Sequence, residues 1–541
     1  MGIWAEISPP LQQKYKLNNK NKMKKLFLAL SLSLVMMGAG AQTVYDAMNI
    51  AQKDLNGTAR FVGMGGAMGA LGGDVTTMGT NPAGIGIYRS NDASLTFGYN
   101  MNTTESNFDG NRFENNKCRW SFDNAGFVYA MKIGNQTALR YVNFGFNYTR
   151  SKSLYRNLTM NGLMGTFDGY YLSQVRTMAQ QAQENDGYIR TDFNSSQIWN
   201  DNEAGWLGVM GVKGGLLDGD LNAVVPDEVD AFFRSRERGG VDQYNFNVAF
   251  NVNDRFYFGA TIGAYDVDYK KYALYDEDYG NNEGYSLESF NRIYGSGFDV
   301  KLGFIARPFE DSPLRIGLAV HTPTWYALTY ETGAELTADV FLDDNPQTTR
   351  LTASTYSDLN GPMVRDFKLE TPWVINASLG YTVGSMLALG AEYEYEDYSS
   401  MKFKYPEGDE MAWETGESDL CLKATHTLRL GMELKPASQF ALRAGYNFTS
   451  AAFNDDAVKA LPVNSINTDT EFSNSKELHT ATIGLGYRGK MFYADLAYKY
   501  SWQKADFYPF YNEMDNDIVS AMPTKVDNSR SQVLLTLGMR F

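Results

Sequence analysis

The sequence reads as an all-β protein, a transmembrane antiparallel β-barrel of about 14 strands with an N-terminal plug, and three observations carry that reading. Ser531 to Phe541 alternates strictly, with Val533, Leu535, Leu537, Met539 and Phe541 on one face and Gln532, Thr536, Gly538 and Arg540 mostly on the other. A two-residue period with one wholly apolar face is a strand between oil and water or a polar lumen. Runs of the same kind recur along the chain, and the connections between them alternate between a few residues and many. Short turns at one end and long loops at the other are the pattern of a membrane barrel, and an even strand number closes it without a free edge.

Composition narrows the class. The 541 residues include 35 tyrosines and 32 phenylalanines, mean hydropathy is negative, and no apolar run is long enough for a membrane helix, so membrane residence has to come from strands. The formal net charge of -15 makes the chain a poor ligand for nucleic acid. Cys118 and Cys421 could pair in an oxidising compartment or stay unpaired, and two cysteines give no metal signature.

The elements follow in order. Residues 1–22 are polar and read as an upstream extension from a mis-assigned start. At 23–41, Met23-Lys24-Lys25 leads a short apolar run and Ala39-Gly40-Ala41, the layout of a cleaved secretory signal peptide. Removing residues 1–41 takes away six lysines and one glutamate and moves the net charge to about -20. Residues 42–91 are not strand-like and form the plug; 92–541 form the barrel. Its predicted strands lie at about 94–105, 119–132, 138–150, 241–253, 255–272, 287–306, 313–330, 365–382, 385–404, 420–435, 438–450, 477–488, 490–505 and 529–541. The long links fall at about 106–118, 151–240, 273–286, 331–364, 405–419, 451–476 and 506–528.

In the plug, Ala59-Arg60-Phe61-Val62-Gly63-Met64-Gly65-Gly66-Ala67-Met68-Gly69-Ala70-Leu71-Gly72-Gly73-Asp74 is followed by Asn81-Pro82-Ala83-Gly84. This pattern resembles the N-terminal hatch of the FadL/OmpP1/TodX outer-membrane transporters. Thr371-Pro372-Trp373 through Ser378-Leu379-Gly380-Tyr381 to Ala391-Glu392-Tyr393 is similar to a later barrel hairpin of the same family. The glycine run is no dinucleotide fingerprint, since Met68 stands where the third glycine belongs and no strand precedes it. Small residues such as Gly65 and Gly66 instead let a plug pack closely inside a barrel. Pro82 biases Asn81 to an extended or turn geometry. The resemblance implies that Asn81, Pro82 and Ala83 sit beside a defect in the barrel wall.

The strand at 119–132 hints at such a defect. Its apolar phase is even at Trp120 and Phe122 but odd at Phe127, Tyr129 and Met131, so a one-residue slip across Asp123, Asn124, Ala125 and Gly126 predicts a bulge. The next strand slips between Tyr141 and Phe144, near Gly145. A greasy ligand leaving sideways into lipid would gain about 0.8 kcal/mol per CH₂.

The long loop at 151–240 carries a helical stretch at 170–184 and two apolar clusters, Trp206, Leu207, Val209 and Met210, and Phe232 and Phe233. The resemblance implies that they form an entry groove for a hydrophobic ligand; the alternative is a lid packed on itself. Arg315 and Arg443 point into the lumen as candidate partners for a ligand carboxylate. His321, His426 and His479 are scattered without metal-ligand spacing, so no catalytic residue, metal or cofactor is expected.

These readings give an expected outer-membrane transporter of hydrophobic small molecules in a Gram-negative bacterium, with membrane lipid and a small ligand as partners. Long-chain fatty acid is the cargo that the resemblance suggests, moved by loop capture, hatch rearrangement and lateral exit. The competing expectation is a protein-binding role, because a relative of the family serves as an outer-membrane subunit of type IX secretion. Oligomeric state is left open.

Overall fold

The computed structural model describes residues 40–192, 196–199, 204–226, 228–341, 347–514 and 517–541. The expected extension and all but Gly40 and Ala41 of the expected signal peptide lie outside the described residues.

Fourteen antiparallel staves close into one barrel. They are β1 Asp92–Phe108, β2 Asn111–Lys132, β3 Leu139–Ser153, β4 Asp230–Val252, β5 Phe256–Gly280, β6 Glu283–Ala306, β7 Arg315–His321 continued by β8 Trp325–Val340, β9 Met363–Glu370 continued by β10 Val374–Val383, β11 Leu387–Asp397, β12 Ala424–Ala437, β13 Phe440–Thr449, β14 Phe472–Arg488, β15 Phe492–Tyr508 and β16 Thr524–Arg540. The seam is a ladder from Asp92↔Arg540 to Asn107↔Lys525, so the alternating terminal segment is the closing strand. Leu95, Phe97, Tyr99, Val533, Leu535 and Leu537 face outwards and are exposed, while Ser94, Thr96, Asn100, Gln532 and Thr536 face the lumen and are buried. A belt of such side chains around the wall is placed for lipid rather than water.

Two of the expected long links are almost wholly strand. The 106–118 and 273–286 links are tight hairpins, turning at Asp109–Gly110 and Asn281–Asn282 with positive φ at all four residues. Asp-Gly and Asn-Asn tolerate that backbone and match the twist of the flanking strands. The 106–118 stretch lacks an apolar face, and in 273–286 the inward Tyr275 and Tyr285 are separated by acidic residues and the turn, so no clean period betrays either. β5 runs for 25 residues, or roughly 80 Å at the rise of a strand. Since about 9–11 residues span a bilayer, most of β5 stands outside it. The expected 151–240 loop shrinks in the same way to 164–229: β3 runs on to Ser153, Arg156–Leu163 pairs with β4, and Phe232 and Phe233 lie on β4.

The N-terminal segment fills the lumen. Helix α1 Val44–Ala51 is opened by a Thr43–Asp46 capping box, and helix α2 Ala59–Gly63 is capped by Thr58, whose hydroxyl accepts from Phe61 N. Two 3₁₀ turns follow, Val75–Gly79 and Pro82–Ile87. The Asn81 Oδ1 accepts from Ala83 N at 3.1 Å, which is the turn chemistry that Asn before Pro favours.

The hatch winds around the inside of the wall against a girdle of glycines. Gly126, Gly145, Gly259, Gly303, Gly317, Gly380, Gly390, Gly431 and Gly445, on nine different staves, face it. A Cβ at Gly431 would collide with the Met64 carbonyl, one at Gly390 with that of Ala67, and one at Gly259 with the Pro82 carbonyl. Gly65 fits for two reasons: its φ is +62°, and its Cα faces the backbone of Leu430 and Tyr446. Gly66 has φ +80° beside Leu55 and Arg429. Arg60 joins hatch to wall, donating to Gly73 O at 2.7 Å and to Glu433 Oε2 at 3.1 Å.

Candidate functional site

The wall is broken at one place on the side of the first strands. β2 pairs with β3 only from Asn124↔Thr149 to Lys132↔Tyr141. β2 continues out to Asn111 and β3 to Ser153, each still hydrogen-bonded to its other neighbour, β1 and β4 respectively. The break begins at the expected bulge: Thr96 pairs with Asn124 but Phe97 with Phe122, so Asp123 is the extra residue. The second slip falls elsewhere, with extra residues at Arg140 and Ser151 against β4, at the ends of β3 rather than between Tyr141 and Phe144.

Hatch side chains plug the break from inside. Asp54 N donates to Ser151 O at 2.8 Å, and Ser153 N donates to Asp54 Oδ2 at 3.1 Å. Asn56 Nδ2 donates to Arg150 O and to Asp123 Oδ1 at 3.0 and 2.8 Å. These bonds satisfy backbone groups that a continuous ladder would have paired. The Asp54 carboxylate lies 3.3 Å from Lys152 Nζ and 2.7 Å from Arg530 Nη1. Burial alone would raise its pKa; Lys152, Arg530 and Lys499 outweigh that and hold it well below the usual carboxylate range.

Above the plug, side chains replace the missing ladder. Asn102 Nδ2 donates to Tyr155 O at 2.7 Å, Asn115 Nδ2 donates to Thr159 Oγ1 at 3.3 Å, and the Arg119 guanidinium lies over the Tyr155 ring. The outer lip is aromatic: Phe122 stacks on Tyr148 across the strands at 5.4 Å, and Trp120 is 77% exposed.

Behind the break is a cavity of about 330 Å³. Seven basic residues line it (Lys53, Lys152, Arg156, Arg429, Lys476, Lys499 and Arg530) against four acidic ones (Asp54, Glu237, Glu394 and Glu396). The cavity is therefore formally positive within a strongly acidic chain. A smaller cavity of about 80 Å³ adjoins it, sharing Asn49, Gln52, Arg156, Glu237 and Ser475, and reaches the aromatic side chains of Tyr269, Phe233 and Phe507.

The other predicted residues take different places. Trp206, Leu207, Val209 and Met210, on the helix Trp206–Lys213, are fully buried in the apolar cluster that fills the outer end of the lumen, so they form no open groove. Phe233 packs on Phe507 at 4.8 Å, and Phe232, half-buried, points from the opposite face of β4. An apolar loop folds inwards because the barrel mouth is the nearest escape from water. Gly126 and Gly145 lie beside the break but serve as seats for Val75 and Met78 of the hatch. Asn124 fastens β2 to β3, donating to Asn147 Oδ1 and Thr149 Oγ1 at 2.8 Å each. The Asn81-Pro82-Ala83 turn does not adjoin the break: it packs on Gly259 and Gly303 of β5 and β6, where the ladder is continuous.

Arg443 is held between Glu433 (2.7 Å) and Asp495 (2.6 Å), and Arg315 donates to Leu71 O at 2.7 Å. Neither lines the cavity, so the expected carboxylate partners are spent on the wall and hatch. Cys118 is exposed and Cys421 buried, and both are free thiols, not a pair. Among the described residues no cluster of His, Cys, Asp and Glu could hold a metal.

No protein family and no curated protein matches the sequence. Among solved structures, the chain is similar to a Pseudomonas aeruginosa FadL homologue at TM-score 0.51 and 14% identity, over 91% of this chain and 100% of the other. The chain has the FadL-type fold. The toluene transporter TodX of Pseudomonas putida follows at TM-score 0.46 and 10% identity, covering 91% of this chain and 100% of TodX. TbuX, the toluene transporter of Ralstonia pickettii, is similar at TM-score 0.46 and 14% identity, covering 90% and 99%. Within the FadL-type fold, residues 44–87 are the hatch and the break between β2 and β3 is the feature that distinguishes one side of the wall.

Proposed function

We propose that this protein conducts hydrophobic small molecules through the outer membrane of a Gram-negative bacterium, with a long-chain fatty acid as cargo. The observation that carries the reading is the break between β2 and β3, set beside a cavity in a barrel whose inner end is occupied by a hatch seated on nine glycines. A molecule that reaches the cavity meets a mixed lining, with Phe61, Leu478 and Trp502 among charged and polar side chains, and the break in the wall beside it. The bilayer beyond it offers about 0.8 kcal/mol per CH₂. The formally positive lining favours an amphiphile with an acidic head over a neutral hydrocarbon.

In this account the apolar cluster around Trp206 and Phe233 takes up the ligand at the outer end and hands it through the small aromatic cavity to the large one. Hatch rearrangement is confined to the segment around Asp54 and Asn56, because the rest is held by the girdle. The ligand then leaves sideways past Asp123 into lipid. This assignment is tested by equilibrium binding of a fluorescent long-chain fatty acid to the purified barrel in nanodiscs, beside a variant with Trp206, Leu207, Val209 and Met210 replaced by serine. Saturable binding that weakens in the variant is the expected result. Binding to neither form overturns the reading and leaves the protein-partner role, as in type IX secretion, as the one to pursue.

A further inference from the structure

Three cations converge on the inner mouth of the break, and one hatch carboxylate sits among them. Lys152 and Arg530 pair with Asp54, while Lys499, only 2% exposed, donates to Leu55 O at 2.7 Å and among the described residues has no carboxylate within ion-pair distance. The other carboxylate nearby, Asp123, accepts from Asn56, Ser121 and Gln532, all neutral. The group thus sets three basic side chains against the single paired carboxylate of Asp54. A basic side chain keeps its charge when buried only beside an anion. The site is built for more negative charge than the wall supplies.

We propose that Lys152, Lys499 and Arg530 form a binding site for the anionic head group of an amphiphile, and that Asp54 is its tethered occupant, displaced when the ligand's own carboxylate arrives. The identity of the ligand rests on the function proposed above; the anion site does not. Asp54 lies on the connection between α1 and α2, ahead of the part of the hatch seated on the glycine girdle, so it can move while the rest stays. Its departure also removes the bonds from Asp54 N to Ser151 O and from Ser153 N to Asp54 Oδ2 that plug the break. Head-group binding and opening of the wall are therefore one event. A neutral ligand has nothing with which to compete for the three cations.

The test uses the full-length barrel with Asp54→Ala and, as a near-isosteric second variant, Asp54→Asn. Acetate should raise the melting temperature of Asp54→Ala above that in chloride of equal ionic strength and leave the wild type unmoved. Asp54→Asn should bind a fluorescent long-chain carboxylate about tenfold tighter than the wild type, with no change for the matching alcohol, and adding Lys152→Gln or Arg530→Gln should cancel the gain. The proposal is overturned if acetate acts no differently from chloride on either variant, or if carboxylate and alcohol shift together. If acetate rescues but neither amphiphile binds any form, the anion site stands and the hydrophobic-cargo reading falls.

Discussion

The Arg119 guanidinium lies 3.8 Å from the centre of the Tyr155 ring, joining β2 to the chain beyond β3 where no backbone ladder connects them. A cation stacked on an aromatic contributes about 0.5–2 kcal/mol, depending on its desolvation. That is small beside the stability of a closed barrel but large for one of the few side-chain contacts that span the opening.

Arg119→Ala and Tyr155→Ala should therefore leave the folded barrel intact and speed the passage of a fluorescent fatty acid from the lumen into nanodisc lipid. Stopped-flow transfer rates check this. Arg119→Lys should fall between the wild type and Arg119→Ala, since lysine keeps the charge but loses the planar stack. Wild-type rates in all three variants would assign the closure to the hatch and the other contacts across the break.

Gly431→Val and Gly445→Val should detach the hatch. Each places side-chain atoms where Met64 or Gly65 backbone now lies, and overpacking of this kind costs about 1–3 kcal/mol or more. Limited proteolysis of the hatch at 25 °C reads the effect. Gly165→Ala, at a position with no neighbour within 4 Å, should be silent.

A pH effect follows from the loop helix α3, Ala412–Cys421, where Glu414 and Glu417 are both buried. Burial pushes the Glu414 carboxyl up to about 7, and burial together with the Glu414 charge raises that of Glu417. The folded loop therefore binds more protons than the unfolded one between about pH 4.5 and 7. Its stability is highest below that window and falls as pH rises through it. The Glu414 share is about 3 kcal/mol. The protection of the α3 amides against hydrogen exchange, relative to their intrinsic rates, should fall from pH 5 to pH 8, and Glu414→Gln should remove much of the change.

Leu535→Arg, on the exposed face of the closing strand, should cost about 2–4 kcal/mol if it lies near the bilayer midplane. Refolding into liposomes followed by urea titration measures it. Thr536→Ala, next to it on the lumen side, instead removes a hydroxyl that accepts from Ala59 N and bonds to Thr96, so its effect should appear at the hatch.

The strands were legible wherever one face is oil, because a period of two survives without knowledge of any partner. For the same reason the Asp123 bulge could be placed from the phase of Trp120, Phe122, Phe127 and Tyr129 alone. Beyond the bilayer the outward face turns largely polar, and the hairpins at Asp109–Gly110 and Asn281–Asn282 passed for loops. The residues at the break were not legible: Asp54 meets Arg530 across 476 positions, and a polar side chain facing a polar lumen has no pattern to mark it. Arg443 and Arg315 were recognisable as inward cations, but sequence could not tell a spent guanidinium from one facing a cavity. The burial of Trp206 and Met210 likewise depends on the barrel mouth being close enough to receive them.

The glycine girdle has a consequence for how the molecule is built. A plug seated against nine staves, with backbone touching backbone, cannot be slipped into a finished cylinder through either end. The part of the hatch from Met64 to Ala83 is therefore expected to be in position before the wall closes, which makes it the form around which the cylinder is raised.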